Sequence, residues 1–169
     1  MIQSLFDARK QRFVSLERPK SYFSRVLTDT KSASEVIAEG AGRLLAIDIG
    51  AKRVGVAVCD ELRLTVRPVM TIERRSWKNL LEQIRRQVES FAAQALVIGL
   101  PLNMDGSEGP AALEMRRLAE NFRRSLPVPI YLHDERLTTE EAKSQAASSD
   151  AVDAEAAAVI LQDFLSRRQ

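Results

Sequence analysis

Apolar positions change period along this chain, and the changes predict three strands followed by helix, strand, helix, strand and helix. Leu44 to Ile49 is aliphatic and β-branched, and Val54 to Val58 repeats the pattern after a short break with Gly50 and two cations, which predicts a hairpin. Arg67 to Glu73, with Val69, Met70 and Ile72, reads as a third strand entered through Pro68 at the sheet edge. Ser76 is an N-cap for a helix in which Trp77, Leu80, Leu81, Ile84, Val88 and Phe91 recur at helical spacing, with Arg85 and Arg86 on a solvated face. Ala95 to Leu100, closed by Gly99 and Pro101, suits a strand buried on both faces. Pro110 opens a second helix with Ala111, Met115, Leu118 and Phe122 as its buried stripe, and Pro127 and Pro129 precede a strand from Ile130 to Glu135. Thr138 or Thr139 caps the next helical segment, with Glu141 in its first turn. Ser148 to Phe164 is helical by propensity and period. The fold class is α/β, a mixed sheet whose three antiparallel strands lead into alternating helices and strands.

Composition narrows this picture. A chain of 169 residues suits one domain with an appendage. Residues 1–42 have poor hydrophobic periodicity and end in small residues and glycines, which marks an N-terminal arm joined by a linker to a domain over residues 43–169. The arm has no apolar core of a secretory leader, and Asp7, Glu17, Asp29, Glu35 and Glu39 argue against an organellar transit peptide. The net charge of +2 is weak evidence for a polyanionic partner. Cys59 is the one cysteine and His133 the one histidine, so an intrachain disulfide, a CxxC zinc site and a multi-histidine metal site are excluded. Any metal must be held mainly by oxygen. No apolar run approaches the roughly 20 residues of a membrane span, so a soluble protein with no membrane partner is expected.

Carboxylates break the apolar pattern at three places. Asp48 stands at the end of a buried strand, where an ionised acid needs a cation, a metal or several donors; capping the turn or pairing with Lys52 or Arg53 would also satisfy it. Asp134 and Glu135 end the last strand, and alternation prevents both from facing one site. Asp153 heads the stripe of Ala157, Ile160 and Phe164, where either a ligand role or a favourable interaction with the helix dipole accounts for it. Asp48, Glu135 and Asp153 together form an all-oxygen trio suited to Mg²⁺ or Mn²⁺. Metal ions held this way activate water and stabilise a leaving oxyanion in phosphodiester cleavage.

Four ordered motifs carry a family resemblance: Asp48-Ile49-Gly50-Ala51-Lys52-Arg53-Val54-Gly55-Val56-Ala57; Gly99 through Gly109; Asp134-Glu135-Arg136-Leu137-Thr138-Thr139; and Asp153 with Ala156-Ala157 and Ile160-Leu161-Gln162. From about Arg43 onward the chain resembles the YqgF or RuvX family, the Holliday junction resolvases or pre-16S rRNA nucleases. The resemblance implies an RNase H-like fold with a mixed five-stranded sheet, divalent-metal dependence, and catalytic and metal-binding roles for Asp48, Glu135 and Asp153. It implies a cytoplasmic role in trimming the 5′ end of the 16S rRNA precursor, with structured RNA as substrate and ribosomal particles as partners. Resolution of branched DNA, the Holliday junction, is the alternative, and an RNA-binding ribosome-assembly factor without turnover is a second. The Asp-x-Gly hairpin also resembles the phosphate loop of actin-like ATPases and sugar kinases, but these need two such domains. Nucleic-acid contacts are expected from Lys52, Arg53, Asn103 and Arg136, while His133 reads as a hydrogen-bonded strand residue. Monomer and homodimer both remain open.

Overall fold

The computed structural model of the protein describes residues 41–135 and 149–166. Five strands form one mixed sheet: β1 (Leu44–Ile49), β2 (Arg53–Cys59), β3 (Val66–Glu73), β4 (Ala95–Leu100) and β5 (Ile130–Asp134), in the order β3-β2-β1-β4-β5. The first three run antiparallel as hairpins, and β4 and β5 join parallel to β1 after helical crossovers. The helices are α1 (Trp77–Ser90), α2 (Pro110–Ser125) and α3 (Ser149–Ser166). This is the expected α/β architecture, a mixed five-stranded sheet flanked by helices. The capping segment around Thr138, Thr139 and Glu141, Arg136, and residues 1–40 lie outside the described residues. No helix among the described residues is long and apolar enough to cross a membrane.

Strand alternation divides the side chains between two layers. Leu45, Ile47, Val54, Val56, Leu96 and Ile98 face α1 and α2, where Trp77 and Phe122 meet with ring centroids 4.8 Å apart. Leu44, Ala46, Cys59, Ala95 and Val97 face α3 and meet Ile160, Leu161 and Phe164. Burying each of those three α3 side chains contributes about 1.5–3 kcal/mol, ample to dock the helix against the sheet. Pro68 does lie on the edge strand, opposite Ala57, beside a register shift that accommodates the lost donor.

Two details differ from the periodicity. The buried stripe of α2 is Ala112, Met115, Ala119 and Phe122, whereas Ala111 is exposed and Leu118 only half-buried. Residues 112, 115, 119 and 122 keep steps of three and four, and neighbouring alanines give no polarity contrast to set the phase. Arg85 is not simply solvated: it is half-buried, and its guanidinium donates to the Ser125 carbonyl at 3.1 Å. The α1 cap is as expected, Ser76 Oγ accepting from the Asn79 N–H at 3.2 Å.

At the other end of the sheet, Arg63 sits buried in the β2–β3 connection with φ of 58°. It donates to the carbonyls of Gly42 and Ala41, each at 2.8 Å. Hydrogen bonds from a charged donor contribute about 1.5–3 kcal/mol each, enough to offset a left-handed backbone of about 1–3 kcal/mol.

Candidate active site

Asp48 pairs across the sheet with Gly55, and Gly55 with Thr71. Cross-strand partners share a face, so Asp48 lies on the α3 side with Ala46 and Leu44. On β1's other flank Ile47 pairs with Ile98, and one residue further Asp48 and Gly99 stand level. Asp48 is therefore flanked by a glycine on each neighbouring strand.

Those glycines admit the other two carboxylate-bearing segments. A methyl on Gly55 would overlap the Asp153 carbonyl and stand 2.9 Å from the Ala154 nitrogen, so α3 rests on β2 backbone to backbone beside Asp48. A methyl on Gly99 would overlap the Glu135 carboxylate and stand 2.8 Å from Ile160 Cδ1. Glu135 thus reaches across β4 toward Asp48. Tyr131 and His133 point to the same side, against Phe164, whereas Leu132 packs into the opposite core. Alternation continues that pattern, placing Glu135, not Asp134, on the Asp48 face. The Glu135 N–H extends the ladder to the Leu100 carbonyl at 3.3 Å although β5 ends at Asp134.

Asp153 meets Arg53, with Nε 2.7 Å from Oδ2. That oxygen is buried and accepts no hydrogen bond among the described residues, so the contact with Arg53 is ionic without hydrogen-bond alignment. The three carboxylates share one face, but among the described residues no three His, Cys, Asp or Glu side chains are gathered closely enough to hold one metal ion. Their donor chemistry nonetheless fits a hard divalent cation: oxygen ligands only, one of them a buried carboxylate oxygen with no donor.

Lys52 is exposed in the β1–β2 turn, where the Gly50 N–H donates to the Arg53 carbonyl at 2.8 Å. Asn103 is exposed in the loop after β4, and its amide is used within that loop, donating to Ser107 Oγ at 2.9 Å. His133 is buried and sits 2.6 Å from Asp163 through Nε2, tying β5 to α3 as a structural pair. Cys59 is also buried; loss of solvation pushes its thiol pKa up.

The periodicity left two features unread. Gly55 and Gly99 act as cradles rather than turn residues, and a glycine inside an apolar strand is the available signal for such close approach. Lys52, Arg53, Thr71, Glu73, Arg74 and Arg75 line an open groove of about 770 Å³ at the β3 edge. Arg74 and Arg75 were not singled out by any motif.

The model of the RuvX family, described as Holliday junction resolvase, matches residues 42–167. A relative from Anaeromyxobacter sp. (strain K), named "Putative pre-16S rRNA nuclease", is 43% identical over 134 residues, covering 75% of this chain and 98% of the relative. A relative of the same name from Syntrophus aciditrophicus (strain SB) is 39% identical over 131 residues, covering 73% and 87%. The structure of T. thermophilus RuvC in complex with Holliday junction substrate aligns over 74% of this chain and 95% of that one, with 14% identity and a TM-score of 0.49. The extent of the family match and the identity to full-length relatives lead to one conclusion: the chain belongs to the RuvX family.

Proposed function

We propose that this protein is a divalent-metal-dependent endonuclease that trims the 5′ end of the 16S rRNA precursor during ribosome biogenesis in the cytoplasm. The observation that carries the reading is the single sheet face shared by Asp48, Glu135 across Gly99 and the Asp153 end of α3 over Gly55. The names of the relatives point to the rRNA precursor as substrate.

Asp48, Glu135 and Asp153 would hold Mg²⁺ or Mn²⁺. When bound, the metal supplies activation of water and stabilisation of the leaving oxyanion. The chain's own residues do the rest. Arg53 holds the Asp153 carboxylate toward the β1–β2 turn. Lys52 and Arg53 hold phosphates flanking the scissile bond. Arg136 follows Glu135 directly in the chain, and we assign it the scissile phosphate, which a guanidinium grips through two parallel hydrogen bonds. The Asn103 loop, braced by its own hydrogen bonds, offers a rigid rim to the sugar-phosphate chain.

The test is cleavage of single-stranded and hairpin RNA carrying the precursor 5′ boundary, beside a four-way DNA junction, by the wild type and Asp48→Asn, with Mg²⁺ or Mn²⁺ and with chelator. Metal-dependent RNA cuts lost in Asp48→Asn are expected. Cutting confined to the DNA junction would favour the resolvase, the reading that the family description supports. Retained cleavage in Asp48→Asn would refute the assignment of the site.

A further inference from the structure

The groove at the β3 edge continues the row that carries Asp48. Asp48, Gly55 and Thr71 lie side by side on β1, β2 and β3, so at about 4.8 Å per strand Thr71 stands roughly 10 Å from Asp48 on the same face. Arg53 pairs with Glu73 two residues along β2, and Arg74 and Arg75 follow directly as the chain leaves β3. A chain of phosphates leaving the carboxylates toward this edge meets cations first at Lys52 and Arg53, then at Arg74 and Arg75.

The two β3-edge arginines are held differently. Arg74 is anchored: its guanidinium donates to the Gly50 carbonyl at 3.2 Å and to Glu114 at 2.5 Å, and its backbone N–H to the Lys52 carbonyl at 2.8 Å. It therefore braces the turn that presents Lys52. Arg75 pairs with Glu73 at 2.7 Å, with both side chains about 70% exposed or more. An exposed pair of this kind contributes little and exchanges readily for a stronger anion. Lys52 has no ion pair among the described residues.

We infer that the groove between the β1–β2 turn and the end of β3 is a phosphate track for a single nucleic-acid strand on one side of the scissile bond, with Arg75 exchanging Glu73 for a backbone phosphate and Arg74 positioning the turn. The track rests on the nuclease reading and extends it to a surface about 10 Å from the carboxylates. Recognition here is by charge and not by base, because no aromatic side chain lines the groove.

The test is fluorescence anisotropy of a labelled single-stranded RNA with the full chain in EDTA, which prevents turnover, over a series of salt concentrations. Each phosphate contact contributes about 0.7 to the slope of log Kobs against log salt for a single strand. Arg75→Gln lowers the slope by about that amount, Glu73→Gln tightens binding, and Arg86→Gln, whose ion pair with Glu82 lies on α1, changes neither. An unchanged slope in Arg75→Gln, or the same loss in Arg86→Gln, overturns the track while leaving the nuclease reading intact. Failure of the wild type to bind RNA in EDTA overturns the track, and the nuclease reading is then decided by the metal-dependent cleavage assay with Asp48→Asn. A merely structural Arg75–Glu73 pair would lower the melting temperature in both variants and leave the slope unmoved, which also overturns the track.

Discussion

Replacing Gly55 with alanine tests whether the contact between α3 and β2 sets the position of Asp153. The new methyl would overlap the Asp153 carbonyl and crowd the Ala154 nitrogen at 2.9 Å, and these are backbone atoms that no rotamer change can move aside. The start of α3 therefore has to withdraw by roughly 1 Å or more before the contact reaches a tolerable 3.0 Å. Ile160, Leu161 and Phe164 remain packed further along, so the helix pivots instead of detaching. Overpacking of this size costs about 1–3 kcal/mol of stability, or a few degrees in Tm. The larger effect falls on catalysis. Misplacing a catalytic group by about 1 Å costs on the order of 10²-fold in rate, equivalent to about 2.7 kcal/mol in the barrier. The assay is metal-dependent RNA cleavage at saturating substrate, paired with a calorimetric melt to show that the variant is folded at the assay temperature. A Gly55→Ala protein with a lowered Tm but wild-type kcat would refute the reasoning, since the α3 contact would then serve packing alone.

Gly99→Ala should separate the two effects the other way. The obstacles there are the Glu135 carboxylate and the Ile160 methyl, both ends of rotatable side chains, so stability falls by only about 1 kcal/mol while cleavage drops sharply; calorimetry and the same assay read both. Asp60 gives a pH prediction. Hydrogen bonds from the Thr65 and Leu64 N–H groups, 2.9 and 2.7 Å from Oδ1, hold its pKa below the ordinary 3.8. Its folded pKa is depressed, so the stabilisation is present above pH 3.8 and is lost as pH falls through the folded value. The urea midpoint of Asp60→Asn should lie below that of the wild type near neutrality and converge on it in acid; a constant gap at all pH values would contradict this assignment.

Strands were the legible part of the fold, because β-branched runs punctuated by glycine and proline have few alternatives. The phase of α2 was not legible: Ala111, Ala112 and Ala119 are alike in sequence, and only packing against β4 and β5 chooses among them. The acids stood out, since a carboxylate inside an apolar stripe is costly without a partner. How they come together did not, because it depends on two absent side chains, at Gly55 and Gly99, whose effect appears only when the strands and α3 are placed. The choice between Asp134 and Glu135 followed from β5 parity once His133 was seen against α3. Arg63 carried no sequence signal, its left-handed backbone being stabilised by carbonyls about 20 residues earlier in the chain.

Arg63 also has a practical geometric consequence. By clamping Ala41 and Gly42, it fixes the spot where the chain enters β1. That spot is at the start of β1, whereas Asp48 is near its end, and the extended residues between Gly42 and Asp48 span roughly 20 Å. A fluorophore or a surface tether attached at Ala41 itself is thus anchored at the pole of the sheet away from Asp48. Protein immobilised there would present the end of β1 that carries Asp48 outward, which makes Ala41 a natural point of attachment for single-molecule work.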